Sequence, residues 1–163
     1  MSDLLARFRD ALSRRAFAAV DRVALDMERV AIEKAPKSLG QLQGRIHGKA
    51  DQEGDVIRAT LRCDSPYGRY VEEGTGPAVG HDRYMPPPGA LRLWVQRTVR
   101  PASTNADAEA TLTAVENAIR WKIYMKGTRP QPFIAPAAEQ GRKAFRAALV
   151  GAVRQAVKEA LHG

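Results

Sequence analysis

The sequence has one cysteine, few aromatic residues and no long apolar run. The single thiol, Cys63, excludes an internal disulfide bond and a zinc site built from cysteines. It falls in a strand-like segment, so we expect a buried and inert thiol. The longest apolar run, Ala147–Val153, is far too short to span a bilayer. The first ten residues are amphipathic and charged, unlike a secretory signal peptide. These features predict a protein that is soluble and intracellular when made, with no membrane partner.

Motifs that carry catalysis or bind phosphate are also missing. The chain has no G-x-x-x-x-G-K-[S/T] phosphate loop, no G-x-G-x-x-G turn and no G-x-S-x-G nucleophile motif. His81 and Asp82, near Glu72 and Glu73, form the one cluster that suggests a metal, but they lie in a glycine-rich segment without a second nearby histidine. We therefore predict no catalytic, metal or cofactor site and favour an assembly or binding role. An enzyme of unrecognised type is the third alternative.

The charge balance is basic, with 26 lysines and arginines against 18 acidic residues and a net charge of +8. Such an excess is compatible with nucleic-acid binding, with an acidic partner protein, or with a solvated surface. The basic residues are spread along the chain, and no five of them are consecutive. The aromatic residues do not alternate with basic ones as in single-strand binders. A basic nucleic-acid-binding module is therefore kept as the alternative function.

Apolar periodicity predicts an α+β fold: a long N-terminal helix packed on a small antiparallel sheet, with additional helices and a C-terminal helix. The N-terminal helix is predicted over residues 3–35, and Pro36 ends it because the residue before a proline avoids the helical region. Its apolar positions recur at steps of three and four, which makes one stripe. The stripe contains Leu5, Phe8, Leu12, Ala16, Val20, Val23, Met27 and Val30.

A β-hairpin is predicted over residues 42–64, from strands at Arg45–Ala50 and Asp55–Asp64 joined by a polar turn at Asp51–Gly54. In the second strand, alternation places four residues on the face expected to lie against the long helix: Ile57, Ala59, Leu61 and Cys63. Further helices are predicted at about 88–99, 108–126 and 136–161, with a signature loop at 65–85 and a linker at 101–107. We expect one domain over residues 1–163.

Two glycine-containing segments are unusual in composition. Ser65–Pro77 reads S-P-Y-G-R-Y-V-E-E-G-T-G-P, which predicts one helical turn followed by an exposed loop. Lys126–Pro136 reads K-G-T-R-P-Q-P-F-I-A-P, where Gly127 ends a helix and the prolines keep the chain extended. Pro136 is predicted to be the first residue of the last helix.

The order of these signals resembles the tail-completion, or neck, family of long-tailed double-stranded DNA bacteriophages, whose members are often labelled minor tail or head–tail joining proteins. A long helix ending in A-P is followed by Y-x-x-Y-V-E-x-G-T at Tyr67–Thr75, M-P-P at Met85–Pro87 and A-I-x-x-K-I-x-x-K-G-T-x-P-x-P-F at Ala118–Phe133. The resemblance covers roughly residues 20–150. Glu73 departs from it, because the family usually has phenylalanine or histidine there.

The resemblance implies a structural virion protein and not an enzyme. It implies a ring, for example a hexamer, at the head–tail junction or the head-proximal end of the tail. The partners would be further copies of the chain and adjacent neck, tail-terminator or tail-tube proteins, with DNA passing through but no specific nucleic-acid binding. The location would be the virion neck or tail, and the host cytoplasm during assembly. The implied signature and interface residues are Tyr67, Tyr70, Glu72, Gly74, Thr75, Gly127, Thr128, Pro130, Pro132 and Phe133.

Overall fold

A computed structural model describes residues 2–37, 42–99 and 106–162 of the protein. It confirms the predicted α+β fold, in which a long N-terminal helix packs on a two-stranded antiparallel sheet and further helices follow. The elements are α1 Ser2–Lys34, β1 Ile46–Glu53, β2 Val56–Cys63, α2 Gly68–Glu73, α3 Arg92–Val99, α4 Ala106–Lys126 and α5 Ile134–His162. The predicted strand entry at Gly40 and most of the predicted linker lie outside the described residues.

The chain divides into two compact units. The first unit combines Met1–Ala35, Gln43–Asp64 and Phe133–Gly163, and thus contains α1, the hairpin and α5. The second unit combines Pro36–Leu42 with Ser65–Pro132, and contains α2, α3 and α4. The expectation of one domain over the whole chain stays a prediction.

In the first unit, α1 and α5 pack along each other in opposite directions. Met27 of α1 lies beside the buried Gly141 of α5, and Arg15 forms an ion pair with Glu159 near the other end of the pair. Small side chains fill the contact, which lets two helices approach closely. The buried small residues are Ala11, Ala24, Ala31, Ala137, Gly141, Ala152, Ala156 and Ala160.

The hairpin covers another side of α1. Ala59 and Leu61 of β2 pack on the cluster that Val23, Ala24 and Met27 form, so the predicted inner face of this strand is confirmed. Gly48 of β1 lies so close to α1 that a side-chain Cβ there would overlap the Ala24 carbonyl. The absence of a side chain therefore sets how closely β1 approaches the helix.

Three predicted boundaries are wrong in detail. The polar segment Asp51–Glu53 continues β1, and the hairpin turns only at Gly54 and Asp55, because cross-strand pairs such as Arg58 with Glu53 (3.0 Å) extend the ladder beyond the core. Helix α3 begins at Arg92, after a turn in which Gly89 has φ +82°, rather than near residue 88. Helix α5 begins two residues before Pro136, which its first turn tolerates because the amides there have no intrahelical acceptor.

In the second unit, α3 packs against α4 around two buried apolar residues, Val95 and Leu112. Glu116 of α4 is only 5% exposed, accepts a hydrogen bond from the Leu91 amide (3.4 Å) and lies 3.9 Å from the Arg92 guanidinium. Trp94, expected on the inner side of α3, is instead 40% exposed. Among the described helices, none has the length and apolar character needed to cross a membrane.

Candidate functional site

The two signature segments, separated by 53 residues, meet inside the second unit. Thr75 and Thr128 form an isolated antiparallel bridge in which each amide donates to the other's carbonyl at 3.1 Å. Their hydroxyl oxygens are 3.0 Å apart, and the Thr128 amide also lies 3.0 Å from Thr75 Oγ1. The Gln131 amide donates to the Val71 carbonyl at 2.8 Å, which extends the contact to α2. We call this contact the Thr75–Thr128 junction.

Glycine at position 127 makes the junction possible. Gly127 ends α4 with φ +72°, a left-handed conformation that costs other residues about 1–2 kcal/mol. A Cβ at this position would also overlap the carbonyl oxygen of Thr75. The G-T pair at 127–128 therefore redirects the chain and presents both backbone groups of Thr128 to Thr75.

The prediction that residues 74–76 form an exposed loop is wrong. Gly74 and Gly76 are buried, and Thr75 is only 3% exposed. The exposed part of the segment begins at Pro77 and Ala78. The reason is physical: the backbone groups of this segment bond to residue 128 instead of to water, so the glycines hold the segment closed rather than open. Residues around the junction, and not the glycines, form the accessible surface.

An exposed row of aromatic side chains lies in the same unit. Tyr70 stacks on Tyr84, with ring centroids 4.6 Å apart and planes inclined by 15°. The neighbouring Arg83 guanidinium lies 5.8 Å from the centre of the Tyr124 ring, and Tyr124 meets Trp121 edge to face at 5.7 Å. We call Tyr70, Tyr84, Arg83, Tyr124 and Trp121 the aromatic row. Aromatic and arginine side chains of this kind are enriched among the residues that dominate protein–protein binding.

Sequence reasoning named Tyr70 but did not assign Arg83, Tyr84, Tyr124 or Trp121 to the site. A signal for Trp121 was present in α4. Trp121 lies on the side of the helix opposite the buried Leu112 and is 59% exposed. An aromatic side chain outside the apolar stripe of its helix is a candidate surface contact.

Charged side chains border a depression of about 300 Å³ beside Tyr70 and Tyr84. Arg69 donates to Glu73 at 2.8 Å, and His81 Nε2 lies 3.6 Å from the same carboxylate. The hydrogen bond from Arg69 lowers the pKa of Glu73, and the same bond raises the pKa of Arg69. Glu73 is the residue that departs from the family pattern, and here its charge is held by Arg69.

The described residues contain no group of three histidine, cysteine or carboxylate side chains placed to hold a metal ion. His81 and Glu73 come together, but no further ligand joins them within these residues. The chemistry that this part of the molecule offers is therefore hydrogen bonding, charge and aromatic contact.

The remaining predicted site residues divide by burial. Tyr67, just before α2, is 38% exposed, and Pro130 and Pro132 are exposed in the extended segment after the junction. Glu72 is half-buried within α2. Phe133 belongs to the first unit and is fully buried, so it serves as an anchor and not as a contact surface.

Comparison of the chain with protein-family models, with curated proteins and with solved structures gave no match.

Proposed function

We propose that this protein is a structural component of a bacteriophage neck or tail, which forms a ring that completes the tail or joins it to the head. The proposal starts from the resemblance of the two signature segments to the tail-completion family. The observation that carries it is the Thr75–Thr128 junction, because the segments that share the family pattern are also partners in space. A shared pattern in two distant segments has a simple physical reason if the segments build one surface.

A ring requires two different surfaces on each copy, since its contacts are head to tail. The first is the aromatic row of the second unit. The second is an apolar stripe on α5, whose members are all at least 40% exposed: Val150, Val153, Val157 and Leu161. Exposed aromatic and aliphatic side chains that recur along one helix side are typical of an interaction surface. We propose that the aromatic row of one copy packs on the α5 stripe of the next.

Light scattering after size exclusion, combined with negative-stain images, tests the ring. The purified protein is expected to form closed rings, alone or with a tail-tube protein. Changing Val157 and Leu161 together to glutamine should abolish the rings, and so should Trp121→Ala. Each change should alter the free energy of unfolding by less than about 0.5 kcal/mol, since the side chains are exposed.

Leu25→Gln is the matched control for these variants, because Leu25 is 53% exposed on α1 and lies outside both surfaces. It should leave the rings intact. A protein that stays monomeric at every concentration, with and without the tube protein, contradicts the proposed function. Rings that form equally well in all variants contradict the assignment of the surfaces.

One observation favours the alternative, a basic nucleic-acid-binding module. Lys143, Arg146 and Arg154 line a shallow groove on α5 together with Val150 and Gly151. Titration of duplex DNA at rising salt separates the two functions, because phosphate contacts weaken steeply with salt. If the groove binds phosphates, changing the three basic residues to glutamate should reduce the slope of log K against log salt by about 2.7. Absence of binding at low salt excludes this alternative.

A further inference from the structure

The two edges of the hairpin differ in their hydrogen bonding. In an antiparallel pair, the backbone groups of alternate residues point toward the partner strand or away from it. The Asp64 amide donates to the Arg45 carbonyl at 2.8 Å, one step beyond the Ile46–Cys63 pair, and this fixes the alternation. The backbone groups of Arg58, Thr60 and Arg62 therefore face β1. Those of Ile57, Ala59 and Leu61 point to the outer edge of β2.

Helix α1 closes the outer edge of β1. The Gly48 amide donates to Glu28 Oε2 at 2.6 Å, and the Ala50 amide donates to Asp21 Oδ1 at 3.4 Å. These are the amides that the alternation directs away from β2. Side-chain carboxylates thus take the place of a further strand at this edge, which is one way in which proteins prevent unwanted strand pairing.

The outer edge of β2 has no such closure. Within the described residues, no hydrogen bond reaches the edge-facing amides and carbonyls of Ile57, Ala59 and Leu61. A groove of about 440 Å³ runs along this edge. Its other side is apolar, from Met27 of α1 and Phe145 of α5. An extended segment bound here would pair its backbone with β2 and place every second side chain in the groove.

Charge defines the side chains that such a segment carries at the alternate positions. Arg58 and Arg62 project from the outer face of β2, and Arg142 lines the groove from α5. Arg62 and Arg142 have no ion-pair partner among the described residues, and Arg58 pairs only with the exposed Glu53. Acidic side chains would complement this border. Pairing of β2 with β2 of a second copy would instead gather the arginines of both copies on one face, which is unfavourable.

We propose that the outer edge of β2 binds an extended segment of a partner protein in which apolar residues alternate with acidic ones. The segment adds a third strand to the hairpin and fills the groove with its apolar side chains. This inference does not depend on the proposed ring function.

A blocked nine-residue peptide of alternating glutamate and valine tests the proposal. Amide hydrogen exchange of the ¹⁵N-labelled protein is followed by NMR. With the peptide at about ten times its Kd, exchange at Ile57, Ala59 and Leu61 should slow by about ten-fold. Exchange at Arg58 and Thr60, which already bond to β1, should change much less. A peptide with lysine in place of glutamate should bind more weakly, and a peptide N-methylated on the edge-facing valines should not bind.

Matched charge variants examine the border. In the double variant Arg62→Glu, Arg142→Glu the preference should reverse, so that the lysine peptide binds more tightly than the glutamate peptide. Arg154→Glu, on α5 but outside the groove, should keep the original preference. Equal binding of the two peptides, binding that survives N-methylation, protection at other amides, or no binding at millimolar peptide would each overturn the proposal.

Discussion

Replacing Gly127 with alanine tests whether the Thr75–Thr128 junction holds the second unit together. Two costs arise. Alanine at φ +72° costs about 1–2 kcal/mol, because its Cβ crowds the backbone in the left-handed region. Its Cβ also overlaps the Thr75 carbonyl, so the segments must separate. Loss of the two backbone hydrogen bonds of the bridge adds about 1–3 kcal/mol, at about 0.5–1.5 kcal/mol each.

The expected loss in free energy of unfolding is therefore about 2–5 kcal/mol, a large part of the 5–15 kcal/mol typical of a small domain. Gly80→Ala is the matched control. Gly80 has φ +76°, lies in the same unit, and has nothing within 4 Å of an added Cβ. It should show the conformational cost alone, about 1–2 kcal/mol. The difference between the variants isolates the junction.

Urea unfolding measures both variants with two probes. Both tryptophans, Trp94 and Trp121, belong to the second unit, so their fluorescence follows that unit. Far-ultraviolet circular dichroism also follows α1 and α5. Gly127→Ala should lower the urea midpoint seen by fluorescence more than Gly80→Ala does. Equal shifts in the two variants would refute the reasoning, because they would show that the junction contributes nothing beyond the glycine conformation.

Three further predictions concern other contacts. Gly48→Ala should destabilise the first unit by about 1–3 kcal/mol, because its Cβ overlaps the Ala24 carbonyl, whereas Gly44→Ala has open space and should be nearly neutral in thermal unfolding by circular dichroism. Arg69→Gln should raise the pKa of Glu73 in an NMR titration. Because that pKa lies below its unfolded value, the stabilisation is present above the unfolded pKa and is lost as the pH falls through the folded pKa; an unchanged titration in the variant would contradict the assigned cause. Arg15→Ala should cost less than about 1 kcal/mol, since the ion pair with Glu159 is partly exposed; a larger loss in urea unfolding would assign it a structural role.

The helices were the most predictable part of the fold. The apolar stripe of α1 and the stop at Pro36 placed this helix within one residue of its observed ends, Ser2 and Lys34. Local periodicity is enough for a helix of this length, because most turns repeat the same signal. The ends of α3 and of the hairpin were less predictable, since they depend on pairing partners that no local pattern names.

The regular leucine and valine spacing of α5 shows what periodicity alone misses. The residues Phe145, Leu149, Val153, Val157 and Leu161 recur at steps of four. A helix has 3.6 residues per turn, so each step rotates the row by about 40°. Over four steps the row turns through about 160°. Phe145 therefore packs on the core, while Leu161 is 66% exposed and the alanines form the contact with α1.

The candidate site was predicted in its membership more than in its geometry. Gly74, Thr75, Gly127 and Thr128 were all named from the sequence, but as exposed contacts. Their mutual hydrogen bonds could not be read locally, because a bridge between residues 75 and 128 depends on how α4 ends. Pairing at this sequence distance is visible only in the fold.

The pairing of α1 with α5 has a consequence for synthesis of the protein. About 100 residues separate the end of α1 at Lys34 from the start of α5 at Ile134. At about 5–20 residues per second, a ribosome needs about 5–20 s to make them. During that time Val20, Ala24 and Ala31 of the nascent chain lack the helix that later covers their side of α1. We expect chaperones that bind apolar segments to recognise α1 on ribosome-bound chains that stop before residue 134, and to release it once α5 has emerged.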